Sequence, residues 1–482
     1  MMTEKQPIEP SKPLSEEIEV AGVSRDAGFG GPEGRRKLER RLLWKIDLRM
    51  SILGIIYILN YIDRNNASAA RLRGFQSDLN LTDSQYASII SIAYVGYIIM
   101  QIPANMLIDK SGAPAMIIAG SMVVWGAMSI LTGICHDFVG ALMTRFFLGF
   151  VEAAFFPGSL LLLSMWYKRE ELGLRIAVLF CGNILSNAFG SLFAAGILDT
   201  MEGKLGQAAW RWLFFIEGSL TIFFACLALF ILPNFPHNTR GLTDAERTLA
   251  VLRMQEEDAS IGETSQGNAG TSGLRLALTD WKTWWYAMAM TARIMALSFN
   301  LFLPTLAATM GYGRTVTLLM CAPPYIFATL FSFAYCRISD KLQIRFNLMA
   351  VSEGAGILGF IIAMSTMNIG ARYFSLFLMA QSFSGLIISY AWMNSSFYWP
   401  PSRRAAAIAF INAFSQLGDI AGSYIWPTNY GPSYRYSYGI CIAASGLSIA
   451  MSWVFRRHLS KLNKALEREA TEGKGGAYRF PL

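Results

Sequence analysis

Apolar runs of about twenty residues, separated by short polar turns, repeat along most of the chain. The first begins near residue 46 and continues past 62. Others follow near 84–108, 115–135, 138–166, 175–198 and 210–232, then near 281–310, 315–336, 345–367, 371–399, 403–426 and 434–455. Each can cross a bilayer as a helix, which satisfies its backbone polar groups internally. The pattern predicts an all-α polytopic membrane protein with twelve transmembrane helices in two six-helix halves, at 46–232 and 281–457. A polar linker at 233–280 joins them. A disordered tail at 1–45, rich in Gly, Pro and Glu, precedes the first half, and a basic tail at 458–482 follows the second.

Composition agrees with a membrane class. Of 482 residues, 53% are hydrophobic and 15% are charged. The net charge of +8 would favour nucleic acid in a soluble protein. Here Lys and Arg gather in short turns, as membrane orientation requires, so no nucleic-acid partner is expected. Arg35, Arg36, Lys37, Arg40, Arg41, Lys45 and Arg49 precede the first span. Arg337, Lys341, Arg345, Arg403, Arg404, Arg456 and Arg457 fall on the same side in this count, and Lys204, Arg314, Arg372 and Arg435 are exceptions. The expectation is a monomeric multi-pass protein of the plasma membrane, embedded in the lipid bilayer, with both termini and the linker cytoplasmic. The six Cys are scattered without metal or CxxC spacing, so no disulfide or metal site is implied. No nucleophile set and no nucleotide loop emerges, which argues against an enzyme and against ATP-driven transport.

Candidate chemistry lies in the ionisable and polar residues inside the spans, which are costly there and usually face a bundle interior or a polar cavity. Arg145 and Glu152 are seven residues apart and share a helix face. They are either a structural ion pair or an anion-binding Arg beside a proton-carrying acid. Asp63 and Arg64 lie toward the outer half of the first span. Arg293 and Asp419 are either a structural pair or part of the site. Tyr94, Tyr97 and Gln101 share one face. Asn183, Asn300, Asn394, Asn412 and Gln416 are candidates to line a cavity or to bond between helices. Tyr390 and Trp392 are candidates to flank a substrate body or to pack in a core. Glu217 and Glu353 are expected to anchor local Arg and backbone groups. Asp109-Lys110 and Asp340-Lys341 end the second span of each half, a repeat that marks them as gating candidates and fits a transporter built from repeated halves.

Several stretches carry a resemblance. DRNN at 63–66, the turn at 105–112, RFFLGFVEAAFFPG at 145–158, WRWLFFIEG at 210–218 and FLPTLAATMGY at 302–312 are similar to the major facilitator superfamily. More narrowly, the chain resembles the anion:cation symporter family in its fungal allantoate-permease branch, over about 46–458. The resemblance implies the major facilitator fold and alternating-access transport of organic anions with protons, with no cofactor beyond the coupling ion. It places anion binding on Arg64 and Arg145 and proton carriage on Asp63 and Glu152. The chain departs from the superfamily pattern at Asn105, where Gly is usual, at Ala113-Pro114, and at Ser415-Gln416-Leu417-Gly418-Asp419. The function expected is proton-coupled symport of a small organic anion, such as nicotinate, pantothenate, a ureide acid or a small sulfonate. An exporter of an acidic metabolite and a non-transporting nutrient sensor are the alternatives.

Overall fold

The computed structural model describes residues 29–111, 113–237, 239–260, 271–397, 401–471 and residue 480. Among these, the first half holds α1 (Gly31–Arg71), α2 (Phe75–Asp78), α3 (Asp83–Ser111), α4 (Pro114–Ile134), α5 (Phe138–Glu152), α6 (Phe155–Ser164), α7 (Arg169–Thr200) and α8 (Ala209–Ile231). The linker holds α9 (Asp244–Ser260) and α10 (Thr271–Thr279). The second half holds α11 (Trp281–Ala296), α12 (Phe299–Ala308), α13 (Arg314–Leu342), α14 (Arg345–Ser365), α15 (Ile369–Ala380), α16 (Phe383–Ser396), α17 (Pro401–Ser415), α18 (Leu417–Ser423) and α19 (Arg435–Thr471).

Eight segments are long and apolar enough to cross a membrane among the described residues. Three of them run through short breaks: Phe138–Ser164 joins α5 and α6, Trp281–Ala308 joins α11 and α12, and Ile369–Ser396 joins α15 and α16. The helices α1, α3 and α7 have 41, 29 and 32 residues, ample length for a span. Large apolar side chains such as Phe230, Leu330 and Val351 are exposed on the outside of the bundle, where lipid would cover them.

The two halves repeat one packing scheme. In the first, α1 packs on α7 and α8, α3 on α5, and α4 on α5 and α8. In the second, α11 packs on α17, α18 and α19, α13 on α15 and α16, and α14 on α15, α16 and α19. Contacts between halves follow the same equivalence: α3 meets α18, α7 meets α13 and α1 meets α12. Close crossings hold individual pairs. A Cβ on Gly149 of α5 would strike the Ala93 carbonyl of α3, and one on Gly96 of α3 would strike the Phe146 carbonyl of α5. Small residues at such crossings let helix backbones touch, which is how helices associate where no hydrophobic drive exists between them.

The expected tail at 1–45 is helical from Gly31, and residues 1–28 lie outside the described residues. Pro32 opens α1 after the left-handed Gly30, and the basic run at 35–49 forms its first turns. The linker explains why this run is ordered. Lys45 donates to both Glu246 oxygens at 2.6 and 2.8 Å, Arg35 meets Glu256 at 2.5 Å, and Arg253 meets Glu39 at 2.6 Å and Glu171 at 2.7 Å. Leu249 and Ala250, on the same face of α9, are buried against the first half. The linker therefore docks on one end of the bundle, called here the linker end.

The apolar cores differ at the two ends. At the far end one cluster joins both halves, with Phe75, Trp210 and Phe214 on one side and Phe299, Phe302 and Trp426 on the other. At the linker end the halves have separate cores, one around Trp125 and Trp166 and one around Tyr286 and Trp392. The molecule is thus joined at the far end and parted at the linker end.

Candidate functional site

Three successive turns of α1 present Tyr57, Tyr61 and Arg64 to a cavity of about 390 Å³ between the halves. The guanidinium of Arg64 lies 5.2, 5.4 and 5.1 Å from the ring centroids of Tyr61, Tyr94 and Tyr97. These distances suit cation–π attraction, which strengthens where water is excluded. Its Nη2 donates to Glu152 Oε1 at 2.5 Å. Glu152 is the last residue of α5, beside the break at Ala153-Ala154, so the break delivers its carboxylate into the cavity wall.

Amides supply most of the remaining polar lining. Asn65 donates to Asn187 Oδ1 at 2.9 Å, and Asn300 of the second half donates to the same oxygen at 3.4 Å. Tyr325 donates to Asn300. This chain crosses between halves at the far side of the cavity. On the second-half wall Tyr390 donates to Asn412 Oδ1 at 3.4 Å, and Asn394 donates to the Tyr390 carbonyl at 2.9 Å. Gln416 and Asp419 complete that reach of the lining, and Asn183 of α7 faces the cavity from the first half. Leu386, Ile387 and Ile408 give it an apolar stretch.

Hydrogen bonds between the two halves, among the described residues, lie at or beyond this cavity toward the far end. Asp83 accepts from the Thr428 backbone at 2.8 Å and from its hydroxyl, Ser88 meets Tyr424 at 2.9 Å, and Thr315 donates to Asp199 at 2.8 Å. Arg71 stacks on Tyr86 at 4.4 Å and lies 5.9 Å from Phe302 of the second half. The cavity is sealed on that side. Its lining runs the other way as far as Ile176 and Ile408.

Of the residues singled out in the sequence, Arg64, Glu152, Tyr94, Tyr97, Asn183, Asn300, Tyr390, Asn394, Asn412 and Gln416 line this one cavity. Others do not. Asp63 is buried in the first half, where its carboxylate accepts from Ser129 at 3.1 Å and Thr221 at 2.7 Å. Arg145 is buried beside it and donates to the Asp63 and Arg64 carbonyls at 3.0 and 3.3 Å and to Asn66 Oδ1 at 2.5 Å. Asn66 in turn donates to Glu217 at 2.9 Å. Neither reading of Arg145, an ion pair with Glu152 or an anion-binding group of the cavity, matches this backbone and amide network. Of the two readings of Arg293 and Asp419, the structural pair does not form. Arg293 is 2% exposed, turns away from the cavity and pairs with Glu353, next to Met290, Met349 and Ser452. That leaves Asp419 on the cavity wall. Trp392 belongs to the second-half core.

Among the gating candidates, Asp340 pairs with Arg345 of its own half at 2.6 Å and Lys341 is exposed in the last turn of α13. The side chains of Asp109 and Lys110 lie outside the described residues. Residues missed by sequence reasoning are Tyr57, Asn60, Tyr61 and Asn65 of α1. The four-residue steps from Tyr57 to Tyr61 to Asn65 and from Asn60 to Arg64 were the available signal. No group of His, Cys, Asp and Glu able to hold a metal occurs among the described residues. The cavity is suited to bind a small polar or anionic solute against one fixed cation and to exchange charge through its acids.

Residues 53–423 match the sequence family described as Major Facilitator Superfamily. The MFS-type transporter cnsO of Penicillium expansum is 32% identical over 454 residues, covering 90% of this chain and 87% of that one. The major facilitator-type transporter hxnP of Emericella nidulans is 27% identical, covering 85% and 84%. Among solved structures, a bacterial homolog of the human lysosomal transporter Spinster, inward-facing and occupied, gives a TM-score of 0.65 at 16% identity over 85% of this chain and 96% of that one. The xylose transporter XylE from E. coli, partially occluded and inward open, gives 0.63 at 15% identity over 86% and 99%. At such identities these structures share the fold alone.

Proposed function

The chain belongs to the major facilitator superfamily as a secondary transporter, and from that premise we propose that it carries a small organic anion together with protons. Its relatives are named as transporters, and it is not an enzyme. The observation that carries the proposal is Arg64, a guanidinium caged by three tyrosine rings and bonded to Glu152 in a cavity shared by both halves. Arg offers a planar, permanently charged fork that matches a carboxylate. An arriving carboxylate competes with Glu152 for that fork. A buried carboxylate stripped of its counter-charge is neutralised by a proton. Anion and proton then favour each other's binding, and the linkage is reciprocal.

The same reading has twelve spans in two halves, with the linker and both termini in the cytoplasm of a fungal cell and the protein acting as a monomer in the plasma membrane. The basic run of α1 and the linker contacts support that orientation. The cavity then opens inward. The motifs at 63–66, 145–158 and 302–312 support a place in the anion:cation symporter family near its allantoate-permease branch.

The test is uptake by reconstituted protein with nicotinate, pantothenate and allantoate, under an inward proton gradient and without one. At least one should accumulate only with the gradient, and Arg64→Ala should abolish its binding. Binding and uptake of neutral or cationic solutes, with none of the carboxylates bound, would sink the proposal.

A further inference from the structure

The proposed coupling uses one acid, Glu152, yet the cavity holds two. Asp419 stands in the first turn of α18, just past the break at Gln416, and lines the second-half wall. Among the described residues no Lys, Arg or His pairs with its carboxylate. Arg293, one candidate partner for it in the sequence, pairs with Glu353 instead. The charged and titratable groups that face Asp419 are Arg64 and Tyr61 from α1, Tyr94 from α3 and Tyr390 from α16, with Glu152 bonded to Arg64 behind them. Arg64 is the one Lys or Arg that lines the cavity among the described residues, and it already has Glu152.

The charge count follows from these residues. With Arg64, Glu152 and Asp419 ionised, the cavity lining carries one positive and two negative charges. A monovalent anion would raise the imbalance to two negative charges. Uncompensated charge in a low-dielectric site is strongly unfavourable, and protons are the available remedy. One proton on Glu152 leaves one negative charge. A second, on Asp419, brings the loaded cavity to neutrality.

We propose that Asp419 is a second proton-carrying acid of this transporter, so that one monovalent anion crosses with two protons and each cycle moves one net positive charge. The proposal rests on the organic-anion reading above. Each carboxylate gains an O–H bond on the side of loading and gives up that proton on the side of release, and no other reactant is needed. Asp419 and Glu152 stand on opposite halves, so neutralising both also removes the field of one wall upon the other. This favours closing the halves around a loaded, neutral cavity.

Two measurements on the full chain test it. The first needs no substrate. Infrared difference spectra of detergent-purified protein between acid and alkaline buffers record the C=O band of protonated carboxyl groups. The wild type should show two cavity components, of which Asp419→Asn loses one and Glu152→Gln the other. The substitutions are near-isosteric, and thermal unfolding of each variant checks that it is folded. The second uses nicotinate in liposomes at equal pH on both sides, with an inside-negative potassium diffusion potential. One net positive charge per cycle gives about tenfold accumulation for each ~59 mV. Asp419→Asn should lose that response, with an accumulation ratio near one, while retaining uptake driven by a pH gradient. A band component that persists unchanged in Asp419→Asn, or potential-driven accumulation equal to wild type in that variant, overturns the proposal. Wild-type protein that leaves nicotinate unmoved counts against nicotinate as the anion, and the infrared result then decides Asp419 by itself.

Discussion

Asp63 and Arg64 are chain neighbours, yet successive helix residues point about 100° apart. One therefore faces the cavity while the other faces Ser129 and Thr221 inside the first half. Arg145 and Glu152 share a helix face but differ in depth by about 10 Å, two turns of helix. Glu152 reaches the cavity and Arg145 lies beyond its sealed side, among carbonyls and Asn66. The two arginines should fail differently. Arg145→Ala leaves Asn66 and two buried carbonyls short of a donor, so we expect thermal unfolding of the purified protein to show a loss of about 3 kcal/mol. Glu152→Gln should keep exchange of labelled substrate across liposomes without a gradient and lose one coupled proton per cycle, so that accumulation driven by pH falls below that of the wild type. Accumulation equal to the wild type under the same pH gradient would remove Glu152 from coupling. The polar residues of the cavity were legible in the sequence because a polar side chain is costly inside an apolar span and is retained where it lines a cavity or bonds a neighbouring helix. Lining and interior charges were not separable, since Arg145, Asp63 and Arg293 look the same as Arg64 until helix rotation and depth are known.

Breaks in the helices do part of the positioning. The interruption after Glu152 and those at Leu297-Ser298, Gln381-Ser382 and Gln416 fall beside cavity residues in the packed bundle. A continuous apolar run hides such breaks, so they were not legible. Nor was α9, whose charge reads as a loop even though Glu246, Leu249, Ala250 and Arg253 are spaced for one helix face. The helices α1, α3 and α7 also carry cavity residues, and each is long enough to span. The crossing of α3 and α5 has no room to give. Gly149→Val would drive two methyl groups toward the Ala93 carbonyl, at an expected cost of about 1–3 kcal/mol. Reduced yield of monodisperse protein and a lower unfolding temperature are the readouts, and Gly120→Val, on the open outer face of α4, should change neither.

The whole molecule is held closed at one end by few polar contacts. Asp83 takes two hydrogen bonds from Thr428, and both are at the exposed far end. Asp83→Asn weakens charge-assisted bonds by about 1 kcal/mol, enough to shift the two-state population about fivefold toward far-end opening. Spin labels at Ser84 and Asn429 should report a longer distance population in the variant. An unchanged distribution would mean that the shared apolar core alone sets the closed state. Neither this closure nor the parted cores at the linker end had any signature in residue order, because they belong to one of the states a two-half bundle adopts. The length of α1 adds a mechanical consequence. It is one unbroken rod of 41 residues that carries Arg35 and Lys45 on the docked linker, Arg64 in the cavity and Arg71 at the seal. From Arg64 the rod extends about 10 Å to Arg71 but about 43 Å to Arg35. A tilt of one degree about Arg64 moves the sealed end by about 0.2 Å and the docked end by about 0.8 Å. The rod is thus an unequal lever, and the linker end magnifies about fourfold whatever rotation the cavity imposes on it.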